Sequence, residues 1–247
     1  MPREDITIQT RDGSCPASVF TPAGQRGPWP GVIFFMDGPG IRPVLQEMGQ
    51  RLADAGYLVL LPDLYYRSGR YAPMDPATVF SDPEAKEVLM KLVNSLDRER
   101  KVADATALVD YLASRPDVRG ERFGAVGYCM GGNCALTAAG ALPGRFAAVA
   151  SFHGSKLATD QPDSPHRFVR NITGEVCVVG AIEDANFTDE QKGCLEKALT
   201  DAGVPHMVET WDHARHGFAV PDMPVYNAEA AERHWQVLQD LFARTLR

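Results

Sequence analysis

Cys129 sits in the stretch "GAVGYCMGGNCA" (residues 124–135), where Gly127, Cys129 and Gly131 form a G-x-nucleophile-x-G pattern with a thiol in the central place. The spacing has a steric reason. A strand-to-helix turn this tight forces its central residue into a strained backbone conformation. Glycines two positions to either side remove the Cβ atoms that would collide across the turn. The side chain then projects from the carboxyl end of a strand, where open α/β sheets place their ligands. Unpaired N–H groups and the dipole of the following helix favour a thiolate there. The Met130 N–H would face the oxygen of a tetrahedral intermediate, forming half of an oxyanion hole.

A thiol nucleophile needs a base, and the base needs a group that orients it. His234 falls in a C-terminal amphipathic pattern, His206 begins a strand, and His166 lies in a polar loop. His153 ends the strand "AVASFH" but precedes the acid candidates. That leaves His213 and His216 in "WDHARHGFAV", and His216, followed by Gly217 and Phe218, is the better choice. In this architecture the order is nucleophile, acid, histidine. The segment "VVGAIEDANF" offers Glu183 and Asp184 after a buried strand, and Asp184 fits better because turn residues follow it. An H-x-x-H metal site at His213 and His216 is the weaker reading, and no metal or cofactor is expected.

These residues need a scaffold, and the pattern supplies one. Ile6–Thr10 and Ala17–Phe20 flank the turn "RDGS" as a hairpin. The runs "GVIFFM", "YLVLLPD", "RFGAVGY", "FAAVASF" and "EVCVVGAI" read as strands buried on both faces, with "HMVETW" as a last strand. Helical spacing marks Pro43–Ala55, Asp104–Ser114, the small-residue stretch "MGGNCALTAAGAL", Asp189–Ala202 and a C-terminal stripe through Ala231, Trp235, Leu238, Phe242 and Thr245. Strand–helix repetition of this kind implies a mostly parallel sheet with helices on both faces. A Pro- and Tyr-rich loop, "LYYRSGRYAPMDP", follows the second parallel strand. With no linker or repeat, residues 1–247 are expected to form one domain.

Composition narrows the function. The chain has 247 residues, 45% hydrophobic and 23% charged, with a formal net charge of −7, which gives no electrostatic case for nucleic acid or anionic membrane. No apolar run approaches the roughly 18 residues of a membrane span, and the N-terminus lacks a signal-peptide core. A cytoplasmic protein, a monomer or small homo-oligomer, is expected. Five scattered cysteines without a C-x-x-C pair argue against a disulfide framework or a structural zinc site.

The motifs "DGPGIR", "LPDLYYR", "GYCMGG", the Asp184 loop and "RHGF", in that order over nearly the whole chain, resemble the dienelactone hydrolase family, cysteine-dependent members of the α/β-hydrolase fold. The resemblance implies Cys129 as nucleophile, His216 as base and Asp184 as its orienter. It also implies Asp37, in place of a family glutamate, as a carboxylate that contacts the resting cysteine. The Gly38 N–H would complete the oxyanion hole. Where dienelactone hydrolases carry an arginine four residues after the histidine, this chain has Val220, leaving Arg42, Arg67, Arg70 and Arg215 as candidates to bind a substrate carboxylate. Tyr65, Tyr66, Tyr71, Tyr128 and Phe218 are the candidates for the substrate pocket wall. The expected activity is hydrolysis of a small-molecule carboxylic ester or lactone through a thioester. The rival reading is a catalytically silent or thiol-redox protein on the same scaffold, with Cys129 forming a sulfenic acid.

Overall fold

Residues 3–246 are described by a computed structural model, so the ends of the expected 1–247 domain (residues 1, 2 and 247) lie outside the described residues. The two N-terminal strands, β1 (Arg3–Thr10) and β2 (Gly13–Phe20), pair antiparallel across the "RDGS" turn, which pins Thr10 opposite Gly13. The buried apolar runs then become β3 (Trp29–Phe35), β4 (Leu58–Pro62), β5 (Val118–Tyr128), β6 (Phe146–Phe152), β7 (Glu175–Ala181) and β8 (His206–Trp211). They join one eight-stranded sheet in the order β1-β2-β4-β3-β5-β6-β7-β8. Every pair from β4 to β8 is parallel, so the carboxyl ends of β3, β5, β6 and β7 open on one edge. This is the α/β-hydrolase fold.

Among the described residues six α-helices accompany the sheet: α1 (Pro43–Asp54), α2 (Pro83–Asn94), α3 (Arg98–Ser114), α4 (Met130–Ala141), α5 (Asp189–Asp201) and α6 (Ala228–Thr245). α1 and α6 are neighbours, joined by Arg51 and Glu232 at 2.6 Å. The apolar stripe of α6 buries Ala231, Trp235, Leu238 and Phe242, whereas Thr245 at its end uses its hydroxyl on the Leu241 carbonyl. α4 is buried along nearly its whole length, because its alanines and glycines let it approach β5 and β6 closely.

Two departures from the sequence pattern bear on function. The pattern assigns no element to residues 83–94, where the structure has α2, and it starts α3 at Asp104 instead of Arg98. Both starts are capped by aspartates. Asp82 accepts from the Glu84 and Ala85 N–H groups ahead of Pro83, and Asp97 accepts from the Arg100 N–H. Among the described residues no helix is long and apolar enough to cross a membrane.

Candidate active site

The turn from β5 into α4 confirms the steric argument made for the glycines. Cys129 has φ 54° and ψ −119°. A Cβ on Gly127 would overlap the Gly131 carbonyl, and one on Gly131 would overlap the Phe35 and Met36 carbonyls of the neighbouring chain segment. No side chain other than hydrogen fits either place. The elbow is held from outside as well. The Cys129 N–H donates to the Phe152 carbonyl at 3.2 Å, and the Ser155 N–H donates to the Cys129 carbonyl at 3.1 Å.

Asp184 and His216 arrive from the loops after β7 and β8. His216 Nδ1 and Asp184 Oδ2 are 2.6 Å apart, while Asp184 Oδ1 accepts from the Asn186 backbone N–H at 2.8 Å and its side-chain amide at 3.1 Å. The two alternatives left by the sequence fall away on geometry, since Glu183 and His213 are both exposed. The His216 ring also packs edge-on against His153, with centroids 5.2 Å apart. Among the described residues no group of three or more His, Cys, Asp or Glu is arranged to hold a metal ion.

Cys129 and His216 each favour the charged form of the other. Burial works against the Cys129 thiolate, but the His216 ring and hydrogen bonds from His216 and Ser155 outweigh it and lower the thiol's pKa. Burial likewise opposes a charged His216, yet Cys129 and Asp184 push its pKa up to about 10. Burial raises the Asp184 carboxyl, but His216 and Asn186 hold it below its ordinary range. The other buried cysteines behave in the opposite way. Desolvation pushes Cys134 up to about 11 and Cys15 and Cys177 up to about 12. Cys129 is set apart by its surroundings.

Asp37 is near this pair but does not bond the thiol. Both its oxygens accept from Arg42, at 2.6 Å and 2.8 Å, and Arg42 reaches on to Asp222. The expected contact between Asp37 and the resting cysteine is therefore replaced by an ion pair, because a short carboxylate five residues from an arginine is captured by it. None of the four candidate arginines is among the residues that line the cavity beside Cys129. Arg42 is taken by Asp37 and Asp222, Arg67 by Asp12 and Asp104, and Arg70 and Arg215 are exposed.

Cys129, His216, Gly38 and Met130 open onto a cavity of about 720 Å³. The aromatic residues expected on its wall are not among its lining residues. Tyr65 is buried and donates to the Gly38 carbonyl at 2.7 Å, so it supports the strand end from behind. Tyr66 points away to Thr10 and Asp104. Tyr128 is in the core against His234, and Phe218 is in the core beside Trp211 and His153. Tyr71 packs edge-on against Tyr65 and its hydroxyl donates to Asp63 at 3.1 Å, so none of the five candidates lines the cavity. The lining comes instead from α2, residues 76–81 and Met223–Val225, together with Lys101, Asn133, Ser155 and Lys156.

Ser155 is the residue sequence reasoning missed closest to the sulfur, with its Oγ 3.5 Å from Cys129 Sγ. Two non-glycine residues with positive φ, His153 (39°) and Lys156 (54°), bracket it. Strain of that kind persists where surrounding bonds over-determine it. Here Asn133 donates to both the Ser155 and Lys156 carbonyls, and the Lys156 N–H donates to the Asn186 carbonyl. No pattern of residue types announces such a turn.

Comparison with known proteins agrees with this fold. The dienelactone hydrolase family model matches residues 15–246. A Synechocystis sp. protein with the provisional name carboxymethylenebutenolidase is 29% identical over 227 residues, which covers 90% of this chain and 88% of its own. The carboxymethylenebutenolidase of Pseudomonas putida is 34% identical over 137 residues, 55% of each chain. A Klebsiella pneumoniae structure, provisionally described as a dienelactone hydrolase, superposes with a TM-score of 0.84 at 23% identity over 98% of both chains.

Proposed function

The chain belongs to the dienelactone hydrolase family, and from that membership we propose that it hydrolyses carboxylic esters or lactones through a thioester on Cys129. The observation that carries this reading is the 2.6 Å bond between Asp184 and His216, on a ring that also interacts with Cys129. In the first step the thiolate adds to the substrate carbonyl carbon, and the oxyanion is met by the Met130 and Gly38 N–H groups. The intermediate collapses, the carbon–oxygen bond breaks, and the His216 imidazolium gives its proton to the departing alkoxide. Neutral His216 then takes a proton from water as the water adds to the thioester. Collapse releases the acid and returns the thiolate. Asp184 keeps Nδ1 protonated throughout, leaving Nε2 for the moving proton. Asp37 acts as a positioning residue, tied to Arg42. The enzyme works as one domain, in the cytoplasm, on a small molecule and without a cofactor.

Mass spectrometry of protein quenched in acid after mixing with p-nitrophenyl acetate tests this. An acetyl group on the Cys129 peptide is expected. Turnover with no acyl group on Cys129, or only oxidised Cys129 after peroxide, would overturn the thioester and favour a redox thiol.

Ser155 gives a second prediction. Its hydroxyl donates to the thiolate, so Ser155→Ala shifts the balance toward the neutral thiol. Alkylation of Cys129 by iodoacetamide at pH 6 should slow by roughly three- to tenfold. The rates should converge at alkaline pH, where both proteins are thiolate. A uniform change at every pH would reduce Ser155 to a packing role.

A further inference from the structure

The wall built by α2 says more about the substrate than the catalytic residues do. Leu89 Cδ1 and Val93 Cγ2 would lie 3.6 Å and 3.9 Å from a Cβ placed on Gly38, so the inner face of α2 stands directly over the end of β3 beside the nucleophile. Leu89, Val93, Leu96, Met130, Met223 and Val225 make that part of the cavity apolar. The rim continues the same character outward. Phe80 is 46% exposed and Met90 36%, large apolar side chains with nothing over them. Lys101 and Lys156 are the cations among the lining residues. Lys101 is engaged, its ammonium donating to Asn133 Oδ1 at 2.8 Å, and Lys156 is exposed with Asp163 also on the cavity wall.

Resting on the hydrolase reading above, we propose that the region under α2 is a subsite for a sizeable uncharged hydrocarbon group of the substrate, such as a medium-length alkyl or an aryl group. The volume agrees. About 720 Å³ falls in the range of sites that bury drug-sized ligands, well beyond the needs of an acetyl group or a bare lactone ring. Each methylene moved from water to such a wall strengthens binding by about fourfold at full burial.

Two measurements test the subsite separately from the chemistry. Calorimetric binding of methyl ketones from 2-butanone to 2-nonanone by the Cys129→Ala variant needs no turnover, and affinity should rise at least about tenfold across the series. In the native enzyme, kcat/KM for p-nitrophenyl esters should rise by at least about tenfold from acetate to hexanoate. The p-nitrophenyl monoester of adipate, which places a carboxylate at the far end of the same chain, should fall well below hexanoate. Leu89→Gln should flatten both series. Ketone affinity that does not grow with chain length overturns the proposal, as does an adipate monoester handled as well as hexanoate, which would give the site to Lys101 or Lys156 as a carboxylate receptor. Ketone binding that grows, alongside ester turnover equal in native and Cys129→Ala protein, would keep the subsite and overturn the thioester instead.

Discussion

Cys129→Ala loses turnover of small aryl esters by about four orders of magnitude or more, while the protein stays folded. The size follows from what the substitution removes. In enzymes with a nucleophile–base–acid array, deletion of the nucleophile alone costs about as much as deleting the array, and the remainder comes from binding and the oxyanion donors. No other thiol stands ready. Cys134, Cys15 and Cys177 are buried, with their pKa values pushed up to between about 11 and about 12, and Cys194 is exposed on α5, away from the cavity lining. Ser155, 3.5 Å from the sulfur, offers only a hydroxyl, a weak nucleophile without a base of its own. Stability is spared because alanine meets the same cost as cysteine at φ 54°, having the same Cβ and no branching. Measurement of kcat/KM on p-nitrophenyl acetate, with circular dichroism to confirm folding, decides the matter. A variant that keeps more than about one-hundredth of the native value sinks the nucleophilic role.

The parts of this molecule that the sequence announces are those where one force dominates. "GVIFFM" and "RFGAVGY" must be strands buried on both sides, since no other element hides such continuous apolar runs so briefly. Gly127 and Gly131 betray the elbow because backbone atoms occupy the space a side chain would need. Chain order, once the elbow is placed, narrows the acid and the base to Glu183 or Asp184 and His213 or His216. The rest depends on choices between near-equal partners. An aromatic ring carries no mark of whether it faces a cavity or the core, and Tyr65, Tyr66, Tyr71, Tyr128 and Phe218 all went elsewhere than the wall. α2 did leave a signal, the cap and proline at Asp82–Pro83, but its buried contribution is only Leu89 and Leu92. A helix that hides so little is easily taken for loop. The turn through Ser155 is invisible for a different reason, because its positive-φ residues are His153 and Lys156, not glycines.

Arg42→Met should destabilise the protein by about 3–5 kcal/mol at neutral pH, the range found when one partner of a buried ion pair is removed. Arg42 is 8% exposed, and all five of its N–H donors are used: Nη1 on Asp37 at 2.6 Å and the Gly40 carbonyl at 3.0 Å, Nη2 on Asp37 at 2.8 Å and Asp222 at 2.9 Å, and Nε on Asp222 at 2.6 Å. The guanidinium thereby ties the end of β3 to the loop that carries His216. Methionine keeps most of the volume and none of the charge. Asp222 still reaches solvent, but Asp37 is 2% exposed and would be left as an unpaired buried carboxylate. Burial already pushes the Asp37 carboxyl up from its ordinary pKa, with Arg42 opposing that shift. Without Arg42 it rises further. A carboxyl whose folded pKa exceeds its unfolded one costs stability above both values, and the cost fades as pH falls through the folded value. The gap between Arg42→Met and native protein in urea unfolding should therefore narrow toward acid. The double variant Asp37→Asn, Arg42→Met removes the stranded charge and should recover a large share of the loss at pH 7. Arg42→Lys keeps a charge but offers three donors for five acceptor contacts, so it should fall between native and Arg42→Met. A loss below about 1 kcal/mol, or a double variant no more stable than Arg42→Met, would show that the Asp37 charge is not what Arg42 holds in check.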